Sequence, residues 1–160
     1  VPYIRDPAGD VREPRFSESD RLVEFLGRNA GATIVIAASG DAVSKLSYAG
    51  FFSLMDRGSR INTLRAGGSY LAVIRGNTVV FELLDNRLPV SANTAASGEL
   101  RDALHGFAVS LRSDGGAAAG GASIEINGAE LSSSTPGLNL VALDWQGGMA
   151  DRASFRTGKR

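Results

Sequence analysis

Apolar and polar positions alternate along this chain so as to divide it into short extended runs with two longer helical stretches between them. Val1–Ile4 and Val11–Phe16 flank Asp6-Pro7-Ala8-Gly9, a turn with Pro at its second position and Gly at its fourth, so residues 1–16 predict a hairpin. Ser17-Glu18-Ser19-Asp20 supplies hydroxyl caps and first-turn acids for a helix. Leu22, Val23, Phe25 and Leu26 share its apolar face, and Gly27 to Gly31 ends it. Thr33–Ala38 is an unbroken apolar, β-branched run, which predicts a strand buried on both faces. Asp41 then stands where a cap would open a helix over 42–57, with Val43, Leu46, Gly50, Phe51 and Leu54 at helical spacing and Gly58 as its stop.

The second half is richer in strands. Tyr70–Arg75 and Thr78–Leu84 flank Gly76-Asn77 as a hairpin. Residues 85–98 lack periodicity and read as connector, followed by a short helix at Glu99–Leu104 and a strand at Phe107–Leu111. Asp114–Gly121, nearly all Gly and Ala, reads as a mobile loop. Asn127-Gly128 marks a hairpin within Ile124–Leu131, and Leu138–Leu143 pairs with Met149–Phe155 around Asp144–Gly148. Strands, two helices and strands again predict an α+β fold in one domain, a β-rich core with two flanking helices.

The two ends of the chain resemble each other. Val1–Phe16 aligns with Leu140–Phe155 without a gap, so that Gly9 falls on Gly148 and Phe16 on Phe155. This is the pattern of a chain that holds slightly more than one period of a tandem array. The opening at Val1 rather than Met fits a piece of a larger protein.

Composition narrows the chemistry. The chain has 160 residues, 43% hydrophobic and 21% charged, which is ordinary for a globular domain. Its 17 basic and 17 acidic residues cancel, so no basic excess points to nucleic acid. No apolar run is long enough to span a bilayer. Without cysteine there is no disulfide, thiolate metal site or Cys nucleophile, and the lone His105 excludes a metal site built on several histidines. His105, beside Gly106, reads as structural, and no nucleophile elbow is present for a hydrolase triad. The expectation is a protein that is not an enzyme and carries no cofactor or metal.

The stretch Ser123–Thr157 resembles the opening of the interleukin-like EMT inducer and PANDER family. The matching residues are Asn127-Gly128, Gly137-Leu138-Asn139, Asp144, Gly147 and Phe155-Arg156-Thr157. Pro136 stands where that family has Arg, and Arg156 where it has Asp. The family's second half resembles segments further upstream: Asp20–Phe25, Ala32–Ala38, Asp41, the 42–57 helix, Gly58-Ser59 and Ser69–Gly76. The order is rotated, with second-half elements over 1–84, a connector over 85–105 and first-half elements over 106–157. Circular permutation or excision from a tandem array would produce it. The resemblance implies two sheets with flanking helices around a polar cavity, and a secreted or surface-attached binding module. An extracellular, periplasmic or cell-surface place in a bacterium follows from it. The Arg-Asp pair of the family's sugar-binding members aligns here with Gly67 and Gly68.

Five residues stand out as candidate ligand contacts. Asp41 lies between a buried strand and a helix start, where ligands of open sheets gather and where a cap is also expected. Ser39-Gly40 before it could offer backbone N–H groups to an anion, without a full glycine-rich phosphate signature. Arg65, Tyr70 and Trp145 suit sugar, since an aromatic face matches the C–H face of a pyranose and a guanidinium forks onto hydroxyls; core packing is the alternative for Tyr70 and a solvent-facing turn for Trp145. Asn139 is unusual inside a strand, and its amide is expected to satisfy buried backbone groups or to line a cavity. The leading expectation is a non-catalytic carbohydrate-recognising module whose partner is a glycan or cell-surface polysaccharide. The other is a structural domain whose terminal strands complete a neighbour's sheet, which would make self-association its role.

Overall fold

A computed structural model describes residues 18–104, 107–117, 120–146 and 148–158, together with the backbone of two short strands, β1 (Ile4–Arg5) and β2 (Val11–Arg12). The strands β1 and β2 pair antiparallel, Ile4 opposite Arg12, as a two-stranded sheet of their own. The Asp6–Gly9 turn expected between them, and His105, lie outside the described residues.

The fold is α+β, with two main antiparallel sheets, a layer of two helices on the outer face of the larger sheet, and a short third helix that packs into the core between the sheets. The larger sheet contains β3 (Thr33–Ser39), β4 (Ser69–Arg75), β5 (Thr78–Asp85), β10 (Gly137–Leu143) and β11 (Met149–Phe155), in the order β11-β10-β3-β4-β5. The smaller holds β6 (Val90–Asn93), β7 (Val109–Ser113), β8 (Ala122–Ile126) and β9 (Ala129–Glu130), in chain order. Three strands, β3, β4 and β10, are buried on both faces for nearly their whole length. Their alternate residues therefore feed two cores. Ile34, Ile36, Tyr70, Ile74, Leu138 and Leu140 face a helical layer, while Val35, Leu71, Val73, Val141 and Leu143 face the smaller sheet.

Helix α1 (Glu18–Arg28) packs Leu22, Phe25 and Leu26 fully inside, and burial of each contributes roughly 1.5–3 kcal/mol. Phe25 meets Phe155 edge to face at 6.0 Å between centroids. One turn on, Arg28 Nε and Asn29 Nδ2 each donate to Asp151 Oδ2 at 2.8 Å, clasping the helix end to β11.

Helix α2 covers Tyr48–Met55 and not 42–57, with Ser47 as its cap. The reason lies in the preceding turn. Asp41 Oδ1 accepts from the N–H groups of Val43 and Ser44, and the Lys45 N–H donates to the Thr157 carbonyl at 2.7 Å. That donor is lost to a continuous helix, so residues 41–47 fold as an irregular turn that holds the C-terminal segment. The connector expected at 85–98 contributes strand β6, and a third helix, α3 (Gly98–Ala103), follows it under a Ser97 cap.

The Gly/Ala segment expected to be a mobile loop is instead a packed seam between the sheets at its described positions. Ser39 and Asp114 form a parallel bridge, and Gly40 N–H donates to the Asp114 carbonyl. Buried serines complete it: Gly115 N–H donates to Ser69 Oγ at 2.9 Å, Gly121 N–H to Ser39 Oγ at 3.0 Å, and Ser113 Oγ to the Ala38 carbonyl at 2.5 Å. Glycine is required here by proximity, because a Cβ on Gly115 would lie 2.1 Å from the Gly68 carbonyl oxygen.

Gly115→Ala must push two backbones apart and is expected to destabilise the fold by about 1–3 kcal/mol in urea titrations. Gly116→Ala, whose Cβ would meet nothing nearer than the Asp114 carboxylate at 3.4 Å, is expected to stay within about 0.5 kcal/mol of the parent. Equal effects at the two positions would contradict a packed seam.

Candidate functional site

The sheet register separates the five candidate residues. Gly137 pairs with Ser39 and Leu143 with Thr33, so Asp41 and Asn139 lie near one end of β3 and Trp145 beyond the other. The six residue steps of β10 between those ends span about 20 Å. Tyr70 and Arg65 belong to the Asp41 end, because β4 starts at Ser69 and runs antiparallel to β3.

At the first end the polar groups are internally matched. Tyr70 is fully buried and offers no ring face to solvent. Its Oη lies 2.6 Å from both Ser59 Oγ and Glu82 Oε2, and Ser59 Oγ donates to Glu82 Oε2 at 2.7 Å. The Glu82 carboxylate, only 7% exposed, also takes the Arg60 backbone N–H and its Nε. Burial pushes the Tyr70 phenol well above its ordinary range, and the adjacent Glu82 charge pushes it further. This network anchors the segment that leads into the turn at Ile61–Thr63; sequence reasoning missed Glu82, which sits at an ordinary polar position of β5.

Asn139 does what an amide inside a strand is expected to do. Its Oδ1 accepts from the Thr135 N–H at 3.0 Å and from Ser154 Oγ at 2.8 Å, while Nδ2 donates to the Thr135 carbonyl at 2.8 Å. The side chain, 1% exposed, thereby pins the Ser132–Pro136 connector to the sheet. Asp41 Oδ1 is engaged in its own turn, and Arg65 is exposed, its backbone N–H held by Asn86 Oδ1.

The other end differs. Trp145 stands 86% exposed in the β10–β11 turn, where Asp144 Oδ1 accepts from the N–H groups of Gln146 and Gly148. Beside it opens a cavity of about 150 Å³ lined by Thr33, Arg75, Ala103, Leu104, Phe107, Asp144 and Trp145. Arg75 Nη1 donates to the Asp102 carbonyl at 3.3 Å, one of the five donors that a guanidinium carries. An exposed indole, a guanidinium, a carboxylate and a threonine hydroxyl around one concavity suit a neutral polyhydroxylated ligand. Arg75 and Phe107 were missed, and Asp144 was singled out only as a motif residue, because only the fold places β4's end beside the β10–β11 turn.

Among the described residues, no three His, Cys, Asp or Glu side chains gather in a way that could hold a metal ion. Nor is any described helix long and apolar enough to cross a membrane. No protein-family model, no curated protein and no solved structure matches this chain.

The clasp between α1 and β11 carries a pH dependence. The hydrogen bonds from Arg28 and then Asn29 hold the Asp151 carboxyl below the usual aspartate range. A depressed folded-state pKa contributes stability that is complete above the unfolded value, about 4, and is lost as pH falls through the folded value. Urea midpoints measured from neutral pH down into the acid range are expected to fall more steeply for the parent than for Asp151→Asn. Parallel curves would show that the clasp does not contribute.

Proposed function

We propose that this chain is a non-catalytic carbohydrate-binding module that meets its ligand at the Trp145 end of the larger sheet. The observation that carries the reading is the lone tryptophan of the chain, exposed at a turn tip beside a cavity with Arg75 and Asp144. A solvent-exposed indole costs hydration without contributing to the core, and stacking on a sugar ring would bury it. The likeness of Ser123–Thr157 to the interleukin-like EMT inducer and PANDER family supports the same reading, as does a chain whose segments follow that family in rotated order. An extracellular or periplasmic place is part of this proposal.

Trp145 reports on its own site. Titration with neutral oligosaccharides is expected to give a saturable blue shift of its fluorescence. In Trp145→Ala and Arg75→Ala, calorimetric binding is expected to weaken at least about tenfold, the scale of one lost stacking or charge-assisted contact. Trp145→Ala should leave the urea midpoint within about 0.5 kcal/mol of the parent, as an exposed side chain would. A glycan panel with no saturable binder contradicts the reading.

A second reading, assembly by strand addition, is favoured by a different observation. The β1–β2 pair belongs to neither main sheet, while its segment resembles the β10–β11 hairpin that fills the edge of the larger one. Two like segments and one place in a sheet are what exchange between copies requires.

A further inference from the structure

We propose that the groove between α1 and β11 receives the segment Val11–Arg15 of a second copy of this chain, paired as an added strand along the outer edge of β11. The inference rests on the assembly reading and specifies its acceptor. Among the described residues, β11 pairs with β10 alone, so the outer edge of this seven-residue strand has no strand partner, although the Arg152 N–H donates to Asp151 Oδ1 at 2.8 Å. Such an edge is a template for a further strand. The opposite edge is less open: on β5, the Val79 N–H already donates to the Arg57 carbonyl and Glu82 holds the Arg60 backbone. The outer strand of the smaller sheet, β9, has two residues.

The groove beside β11 has a volume of about 350 Å³ and is polar on its helical wall. Glu18, Arg21, Glu24 and Arg28 line that wall with alternating charge, over the small Ala153 and Ser154 of the strand. Arg28 is committed to Asp151 and its Nη1 also lies 3.7 Å from Glu24 Oε1, which leaves the exposed Arg21 as the principal charge for a guest, with Glu24 shared between Arg28 and that guest. The direction follows from the clasp. Arg28 meets Asp151 while Phe25 meets Phe155, so α1 runs antiparallel to β11. A strand added antiparallel to β11 therefore runs parallel to α1.

Val11-Arg12-Glu13-Pro14-Arg15 matches that frame. Glu13 and Arg15 lie outside the described residues; in a strand added to β11, alternation would put Val11, Glu13 and Arg15 on one face. Glu13 would then stand by Arg21 and Arg15 by Glu24. The guest charges repeat at about 6.7 Å and the host charges at about 4.5 Å, a difference that these long side chains absorb. Within one chain this seating is closed off. From beside Glu24 the chain would have to return about 9 Å along the helix and cross the roughly 8–10 Å between packed elements, about 12 Å or more in all, to enter α1 at Glu18. Three Cα steps reach at most about 11 Å. The guest therefore comes from a second copy.

Sedimentation equilibrium of the full chain over a hundredfold concentration range tests this, with circular dichroism to establish that each variant is folded. The parent is expected to associate, and removal of residues 1–16 to abolish association. Arg21→Glu and Glu13→Arg should each weaken it about tenfold or more, because like charges then face each other. An equimolar mixture of the two variants should recover association, since the guest segment of each then meets an opposite charge in the groove of the other. A chain that associates and loses association on trimming, yet is indifferent to Arg21→Glu and Glu13→Arg, keeps the assembly reading and overturns this groove as its acceptor. A parent that stays monomeric throughout overturns both.

Discussion

Three strands at the centre of the larger sheet carry apolar side chains on both faces, and β3, β4 and β10 can therefore meet water on neither. Each face needs its own cover. The helical layer supplies one and the smaller sheet the other, and the two cores are divided by the backbone of β3, β4 and β10 themselves. The backbone groups of these strands are satisfied laterally by neighbours, since no solvent reaches them. With the middle of the sheet given wholly to packing, hydrogen-bonding side chains are confined to its ends and its outer edges.

That confinement organises whatever the protein binds. At the Asp41 end the polar groups are spent on the fold: serines knit the two sheets, Asn139 holds a connector, and Tyr70 and Glu82 satisfy each other within the interior. At the opposite end, the β10–β11 turn lifts Trp145 clear of the core beside Arg75 and Asp144. Along the side, β11 leaves a backbone edge under a charged helix. An end and an edge do not compete, so a glycan at Trp145 and a neighbouring chain on β11 are compatible on one molecule.

Much of this arrangement was legible in the residues. The unbroken Thr33–Ala38 run required burial on both faces, and the structure gives it that. Asn127-Gly128, with positive φ at both residues, made the turn that its side chains demand. The errors have physical causes. The 42–57 periodicity was real as a pattern of burial, since Val43, Leu46, Gly50 and Leu54 are all inside, but Thr157 from the far end of the chain takes a donor that a longer helix would need. Asp114–Gly121 looked mobile because small residues signal freedom when they stand alone. Here their smallness lets two backbones approach, a reason visible only once Gly68 and Ser69 lie opposite. Asp41, Arg65, Tyr70, Asn139 and Trp145 were each conspicuous, but their separation by the length of a strand depends on register, which no local pattern encodes.

The measurement that tests this account most directly is native-state hydrogen exchange of the seam. The Gly115 and Gly121 amides donate to buried serine hydroxyls between the sheets, so they should open only when the two cores separate. The account requires them to exchange with the same denaturant dependence as the Val35 and Leu71 amides of the central strands. Fast, denaturant-independent exchange at both glycines, with Val35 and Leu71 still protected, would show that the smaller sheet is not locked to the larger one and would contradict it.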